Sequence, residues 1–157
     1  MLARWAVAPP VPQETCQTNW VAGASAIVPR QVFEAFGLLN EAYFMYYEEM
    51  EFCLQVNRAG WSCWYVPESR VVHLVGQSSG VNNFQPRTKR LPQYWYDSGR
   101  RYFVKNHGWL YTALADLFWA SGFVFWIMRP VIERKPDTDP PKMLSDFMSN
   151  SVFFKGG

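Results

Sequence analysis

The chain has 157 residues, 49% of them apolar and 18% charged, and a net charge of +2. That is enough apolar matter for one domain with a real core, and it excludes wholesale disorder. It also excludes a nucleic-acid partner, because neutralising phosphates takes a dense basic patch that +2 does not supply. Aromatic rings reach 18%, with eight Trp. Such a surplus suits ligand-lined clefts and the membrane interface, where a ring keeps one apolar and one wet side. Cys16, Cys53 and Cys63 form no close-spaced pair, which argues against a disulfide framework and for a reducing compartment.

In chain order, the opening MLARWAVAPP holds only a short apolar run broken by Pro9 and Pro10, so no secretory signal is visible. Residues 1–18 read as a linker or fragment edge, with an upstream part expected. Ala22–Val28 reads as a short apolar strand ending at Pro29, and Gln31–Phe36 as a brief helix stopped by Gly37. A loop leads to a helix from Glu48 to Ala59, closed by Gly60. Trp61–Val66 and Val71–Val75 read as strands around a Pro67–Arg70 turn. Residues 76–91 are polar loop, and Pro92 opens a helix that ends near Gly108. The interleaving of strands and helices predicts a mixed α/β domain.

Glu48, Glu51, Gln55 and Arg58 share one polar face of the helix that starts at Glu48. Glu49 projects instead beside Cys53 and Val56. A carboxylate there feels desolvation, which raises its pKa, and the helix dipole, which lowers it. Such a group can serve as a tuned proton acceptor; acids that merely complement the dipole are the competing reading.

Four stretches, in order over residues 19–108, carry a resemblance. They are Trp20–Arg30 (WVAGASAIVPR); Gly37–Phe44 running into Tyr47–Leu54 and Arg58–Trp61; Val66–Pro67 with Val72–His73 and Gly76–Ser78; and Tyr94–Trp95 with Ser98–Phe103 and Lys105. Together they resemble the C-terminal half of family 2 glycosyltransferases of the GT-A fold, especially rhamnosyltransferase-like members. The resemblance implies an α/β fold class: the acceptor-side portion of a GT-A fold with a mixed sheet, followed by an apolar helix. It implies an inverting transferase that moves a sugar, rhamnose among the candidates, from a nucleotide-sugar donor to a lipid-linked or polysaccharide acceptor. It makes Glu49 the general base and Tyr47, Glu48 and Glu51 acceptor-binding residues, with loop stabilisation as the alternative role of Glu48 and Glu51. Ser78, Arg90 and Arg101 would contact the donor diphosphate, and His73 the metal or the diphosphate. A core histidine and a plain loop serine remain the alternatives at positions 73 and 78. A divalent cation, Mg or Mn, would neutralise the leaving diphosphate.

The chain departs from the family where it has Asn40, Glu49, Glu51 and Gln55 instead of Asp, Asp, Asp and Arg. The family's nucleotide-binding half, with its Asp-x-Asp motif, has no counterpart here, so this chain is expected to be incomplete alone. Asp137-Thr138-Asp139 has no preceding apolar strand to aim two carboxylates at one ion and reads as a solvated acidic turn.

Trp109–Met128 carries one charge, Asp116, and is long enough to cross a bilayer at about 1.5 Å per residue. Asp116 would cost about 3 kcal/mol at the bilayer centre. Thr112 and Asp116 align as a narrow polar stripe, so a helix lying in the membrane interface suits the pattern better than a span; a core helix is the alternative. Pro130 is expected to end it, and residues 130–157 read as a polar tail. The resulting expectation is a cytoplasmic protein, peripheral at the inner face of the cell membrane. A non-catalytic membrane-associated relative and a glycoside hydrolase with paired carboxylates are the rival readings.

Overall fold

The computed structural model describes residues 11–72, 90–133 (side chains as far as 128) and 139–156. In chain order the described elements are β1 (Cys16–Thr18), α1 (Arg30–Phe36), α2 (Glu48–Arg58), β2 (Cys63–Tyr65), α3 (Gln93–His107), α4 (Trp109–Glu133), α5 (Met143–Asn150) and α6 (Val152–Lys155). Helices dominate, with one small sheet, which is compatible with a piece of an α/β fold.

β1 and β2 pair antiparallel, Cys16 opposite Tyr65 and Thr18 opposite Cys63. Among the described residues this ribbon stands where a mixed sheet was expected. One strand expectation is corrected. Ala22–Val28 is a turn and irregular chain, with Ser25 N–H donating to the Ala22 carbonyl at 3.3 Å. Gly23 and the Pro29 boundary leave too short a run to hold a ladder. Val71 and Val72 are irregular and exposed, and the rest of that stretch lies outside the described residues. Conversely, β1 falls inside the segment expected to be a linker.

The glycine stops behave as expected because each residue adopts a positive φ. α1 ends at Gly37 (φ 79°) and α3 at Gly108 (φ 84°). α2 ends in a full Schellman cap: Gly60 (φ 89°) donates to Asn57, and Trp61 donates to Val56 at 3.1 Å. One apolar cluster, Val32, Phe52 and Val56 with Val28, Phe33 and Phe36, joins α1 to α2. The Asn57 amide donates to the Asn19 carbonyl at 2.7 Å, and Arg58 donates to that of Asn106, so α2 is also tied to the sheet and to α3.

Pro130 does not end α4; the helix runs on to Glu133. Proline lacks the ladder donor of its position, and only three residues of the helix follow it. Residues beyond 142, read as polar tail, form α5 and α6, which pack on α3 and α4. Trp119 stacks on Phe147 with ring centroids 3.9 Å apart. Arg90 forks onto the Asp146 carboxylate, Gln93 donates to Asn150 Oδ1 at 2.5 Å, and Arg100 donates to the Asn150 carbonyl at 2.9 Å.

The fork from Arg90 holds the Asp146 carboxyl below the usual carboxylate range, outweighing its burial. A depressed carboxyl contributes stability that is present above its unfolded value and lost as pH falls through the lower folded one. Acidification is therefore expected to loosen the docking of α5. Amide hydrogen exchange resolved by segment checks this; Asp146→Asn should show the same loosening of α5 at neutral pH.

The polar stripe on α4 faces inward. Thr112 is buried, with its hydroxyl donating to the Gly108 carbonyl at 2.8 Å. Asp116 accepts the Val152 N–H at 3.1 Å, satisfying a donor at the start of α6. The outward face is the apolar one: Leu110, Phe118 and Phe125 are 68%, 77% and 75% exposed. α4 is an amphipathic helix turned inside out relative to the usual arrangement in water.

Candidate active site

The site begins with two consecutive residues in the left-handed region, Tyr46 (φ 70°) and Tyr47 (φ 71°). Such conformations cost about 1–3 kcal/mol each for residues other than glycine and persist only where packing imposes them. Here α3 imposes them. The Tyr47 ring lies over Gly99, with its centroid 5.3 Å from that of Tyr102. The Ser98 hydroxyl donates to the Met45 carbonyl at 2.8 Å. The strained entry makes Tyr47 the residue that caps α2, and it offers no side-chain oxygen to the first turn. Glu48, Glu49 and Glu51 therefore stand alone against the positive end of the helix dipole.

The three acids have different fates. Glu51 is 1% exposed, and its carboxylate receives Lys105 Nζ at 2.5 Å and the Asn40 amide at 3.0 Å. Burial works against its ionisation, but Lys105, Asn40 and the Tyr43 hydroxyl prevail and hold its pKa below the usual range. In turn, burial and then the Glu51 charge push the Tyr43 phenol upward. Helical projection placed Glu51 on the polar face with Glu48; the structure buries it, because α3 brings a lysine onto it. A carboxylate enclosed by its own protein is a keystone between α2, α3 and the loop that carries Asn40.

Glu48 and Glu49 are half-buried, and each keeps one carboxylate oxygen shut off from solvent with no hydrogen-bond partner among the described residues. Burial raises the Glu48 pKa; its own backbone N–H opposes this and the neighbouring Glu49 adds to it. The Gly23 turn closes over Glu49, whose Cβ would lie 3.8 Å from a side chain at that glycine. Two unspent acceptor oxygens on adjacent residues of a helix start can take a proton or bind hydroxyl groups.

His73 and Ser78 lie outside the described residues, so their expected roles have no geometry here. Arg90 is engaged by Asp146. Arg101 is exposed and lines an open groove of about 970 Å³ between the 42–44 segment, α3 and Lys155. Asp139 accepts the Trp126 indole N–H at 2.7 Å, and Asp137 and Thr138 lie outside the described residues. Among the described residues no group of three or more His, Cys, Asp or Glu converges on a cation position. These residues alone do not make up a cation site. The burial of Glu51 and the groove had no local sequence signal, since both depend on α3 meeting α2.

No protein-family profile matches the chain, and no solved structure does. Curated proteins do. The N-acetylglucosaminyl-diphospho-decaprenol L-rhamnosyltransferase of Mycobacterium tuberculosis is 36% identical over 62 residues, covering 40% of this chain and 20% of that protein. The low-salt glycan biosynthesis hexosyltransferase Agl10 of Haloferax volcanii is 50% identical over 120 residues, covering 72% of this chain and 36% of that protein. The chain thus spans about a fifth and about a third of the two relatives. Both are named for glycosyl transfer, which supports that general class of function for this sequence.

Proposed function

We propose that this chain supplies the base and acceptor side of an inverting, family 2-like glycosyltransferase of GT-A type and does not complete the reaction alone. The observation that carries the reading is the unspent carboxylate of Glu49 at the strained start of α2, at the position where the resembling family keeps its base. An acceptor hydroxyl attacks the anomeric carbon of a nucleotide sugar, rhamnose being the sugar suggested by one relative's name. The new C–O bond forms as the bond to the diphosphate breaks on the opposite face. Glu49 takes the hydroxyl proton, and the nucleoside diphosphate leaves with the electron pair. Glu48 and Tyr47 position acceptor hydroxyls. His73 and a divalent cation, Mg or Mn, belong to the donor side of the same proposal, together with Ser78 at the diphosphate. Loss of transfer in Glu49→Gln with donor binding retained is the expected result; near-normal turnover removes Glu49 from this role. A hydrolase is disfavoured, since its two acids must face each other across roughly 5 to 9 Å of cleft, whereas Glu48 and Glu49 are neighbours on one helical turn.

The same proposal puts α4 at the cytoplasmic face of the cell membrane. Its polar stripe is consumed by α6, and its exposed face offers Leu110, Phe118, Phe125 and Trp126 to a lipid surface. The chain is expected to sediment with phosphatidylglycerol-containing vesicles, and Phe118→Ser with Phe125→Ser to remove most of that binding. Equal sedimentation of the double variant would leave the face without this partner.

A further inference from the structure

α6 is four residues long, and its side chains divide by what they touch. Val152 is buried, and its N–H is taken by Asp116, so the start of α6 is fixed to α4. Phe153 lies edge-on against Trp109 with ring centroids 6.0 Å apart, and both rings are half exposed. Phe154 is 71% exposed. Trp109 is followed by Leu110, which belongs to the outward apolar face of α4. The rings of α6 therefore continue that face across Trp109 onto a second helix. A scattered exposed ring is ordinary, whereas apolar surface running without a break over two helices marks a contact surface. Lys155 comes next and bounds this surface. It is half exposed and also lines the open groove. It reaches Asp97 only at 4.0 Å, a partly solvated separation worth little, and Asp97 already receives Arg100 at 3.1 Å and Gln93 at 3.1 Å. Rings bounded by a cation suit a lipid surface, where the rings lie among acyl chains and the ammonium reaches anionic headgroups.

We propose that α6 is a second lipid-contacting element, which places Phe153 and Phe154 beside α4 in the surface of an anionic bilayer with Lys155 at headgroup level. A contact made by α4 alone would let the domain rock about the axis of that helix. Two helices fixed to each other by the Asp116–Val152 bond leave one orientation. Lys155 belongs to the groove as well as to this rim, so the bilayer surface passes the Lys155 end of the groove. The inference rests on the lipid contact proposed for α4 and adds to it a second element, a requirement for anionic lipid and a fixed orientation. It requires no turnover.

The test is sedimentation of the 157-residue chain with phosphatidylcholine vesicles, with and without phosphatidylglycerol. Phe154→Ser is expected to weaken binding to the phosphatidylglycerol vesicles about tenfold, the loss that follows when one large apolar side chain no longer leaves water. Its thermal melt should match that of the wild type, because the ring already stands in solvent, and Phe154→Leu should recover most of the binding. Lys155→Gln should weaken binding about fivefold on phosphatidylglycerol vesicles and leave binding to phosphatidylcholine alone unchanged. That difference should shrink as salt is raised, a dependence that a purely structural role for Lys155 does not produce. The proposal is overturned if Phe154→Ser sediments as the wild type does. It is also overturned if the wild-type chain is a stable dimer in ultracentrifugation that Phe154→Ser separates, since the rings then face a second copy. Loss of binding in Phe118→Ser with Phe125→Ser, but none in Phe154→Ser, keeps α4 at the membrane and removes α6. The reverse pattern keeps α6 and removes α4, and a wild-type chain that ignores both kinds of vesicle removes both.

Discussion

Glu49→Gln is expected to lower the transfer rate by about 10²–10⁴-fold, the range removed when a positioned general base is lost. The amide keeps the size of the carboxylate, so the Gly23 turn and the α2 start should stand unchanged. Donor affinity should stay at the wild-type level, because the loss falls on proton transfer alone. Glu48→Gln is the informative control. Burial raises the Glu48 pKa, so ionising it costs the folded state, and its contribution to stability declines as pH rises above the unfolded value. The glutamine there should hold or slightly raise the melting temperature at neutral pH, with a smaller kinetic loss than at position 49. Initial rates, donor affinity and thermal melts of the two variants check this; a larger rate loss at 48 would exchange their roles.

Lys105→Met is expected to be the most destabilising single exchange on α3. It leaves the Glu51 carboxylate enclosed with only Asn40 and Tyr43 for company. Breaking a buried pair from one side costs several kcal/mol; with Lys105 half exposed, about 2 kcal/mol is the appropriate scale. In a chain of this length that lowers the melting temperature by about 4–8 °C. The double variant Lys105→Met with Glu51→Gln should recover most of the loss, since no naked charge is then left inside. A melt of the double variant no better than that of the single would show the pair to be dispensable.

The same pairing gives a physical account of one departure from the resembling family. At position 40 the chain has an amide where an acid is usual, and that amide donates to Glu51 while its own oxygen accepts the Ala42 N–H at 3.0 Å. An aspartate there would place a second carboxylate against the buried one. Asn40 and Glu51 are matched, and Asn40→Asp is incompatible with the present arrangement unless one acid is protonated.

Much of the local structure was legible because it rests on local rules. Gly37, Gly60 and Gly108 announce helix ends, and Pro92 announces the start of α3. The acids of α2 were visible, and so was the Thr112–Asp116 stripe. Which acid is buried was not, because its partner comes from a distant helix and projection sees only one helix at a time. β1 is three residues long, too short for alternation to register. α5 was obscured by the polar, proline-rich run before it, although Leu144, Phe147 and Met148 recur at helical spacing and could have revealed it.

The docking of α5 and α6 has a practical corollary for anyone shortening the polypeptide. A version terminating at Lys142 loses the ring that stacks on Trp119, the N–H that occupies Asp116 and the acid that receives Arg90. α4 would then keep its packing on α3 but lose α5 and α6, leaving it greasy outside and with an unpartnered acid inside. Such a product is expected to precipitate or to require detergent, whereas trimming only the final glycine should go unnoticed.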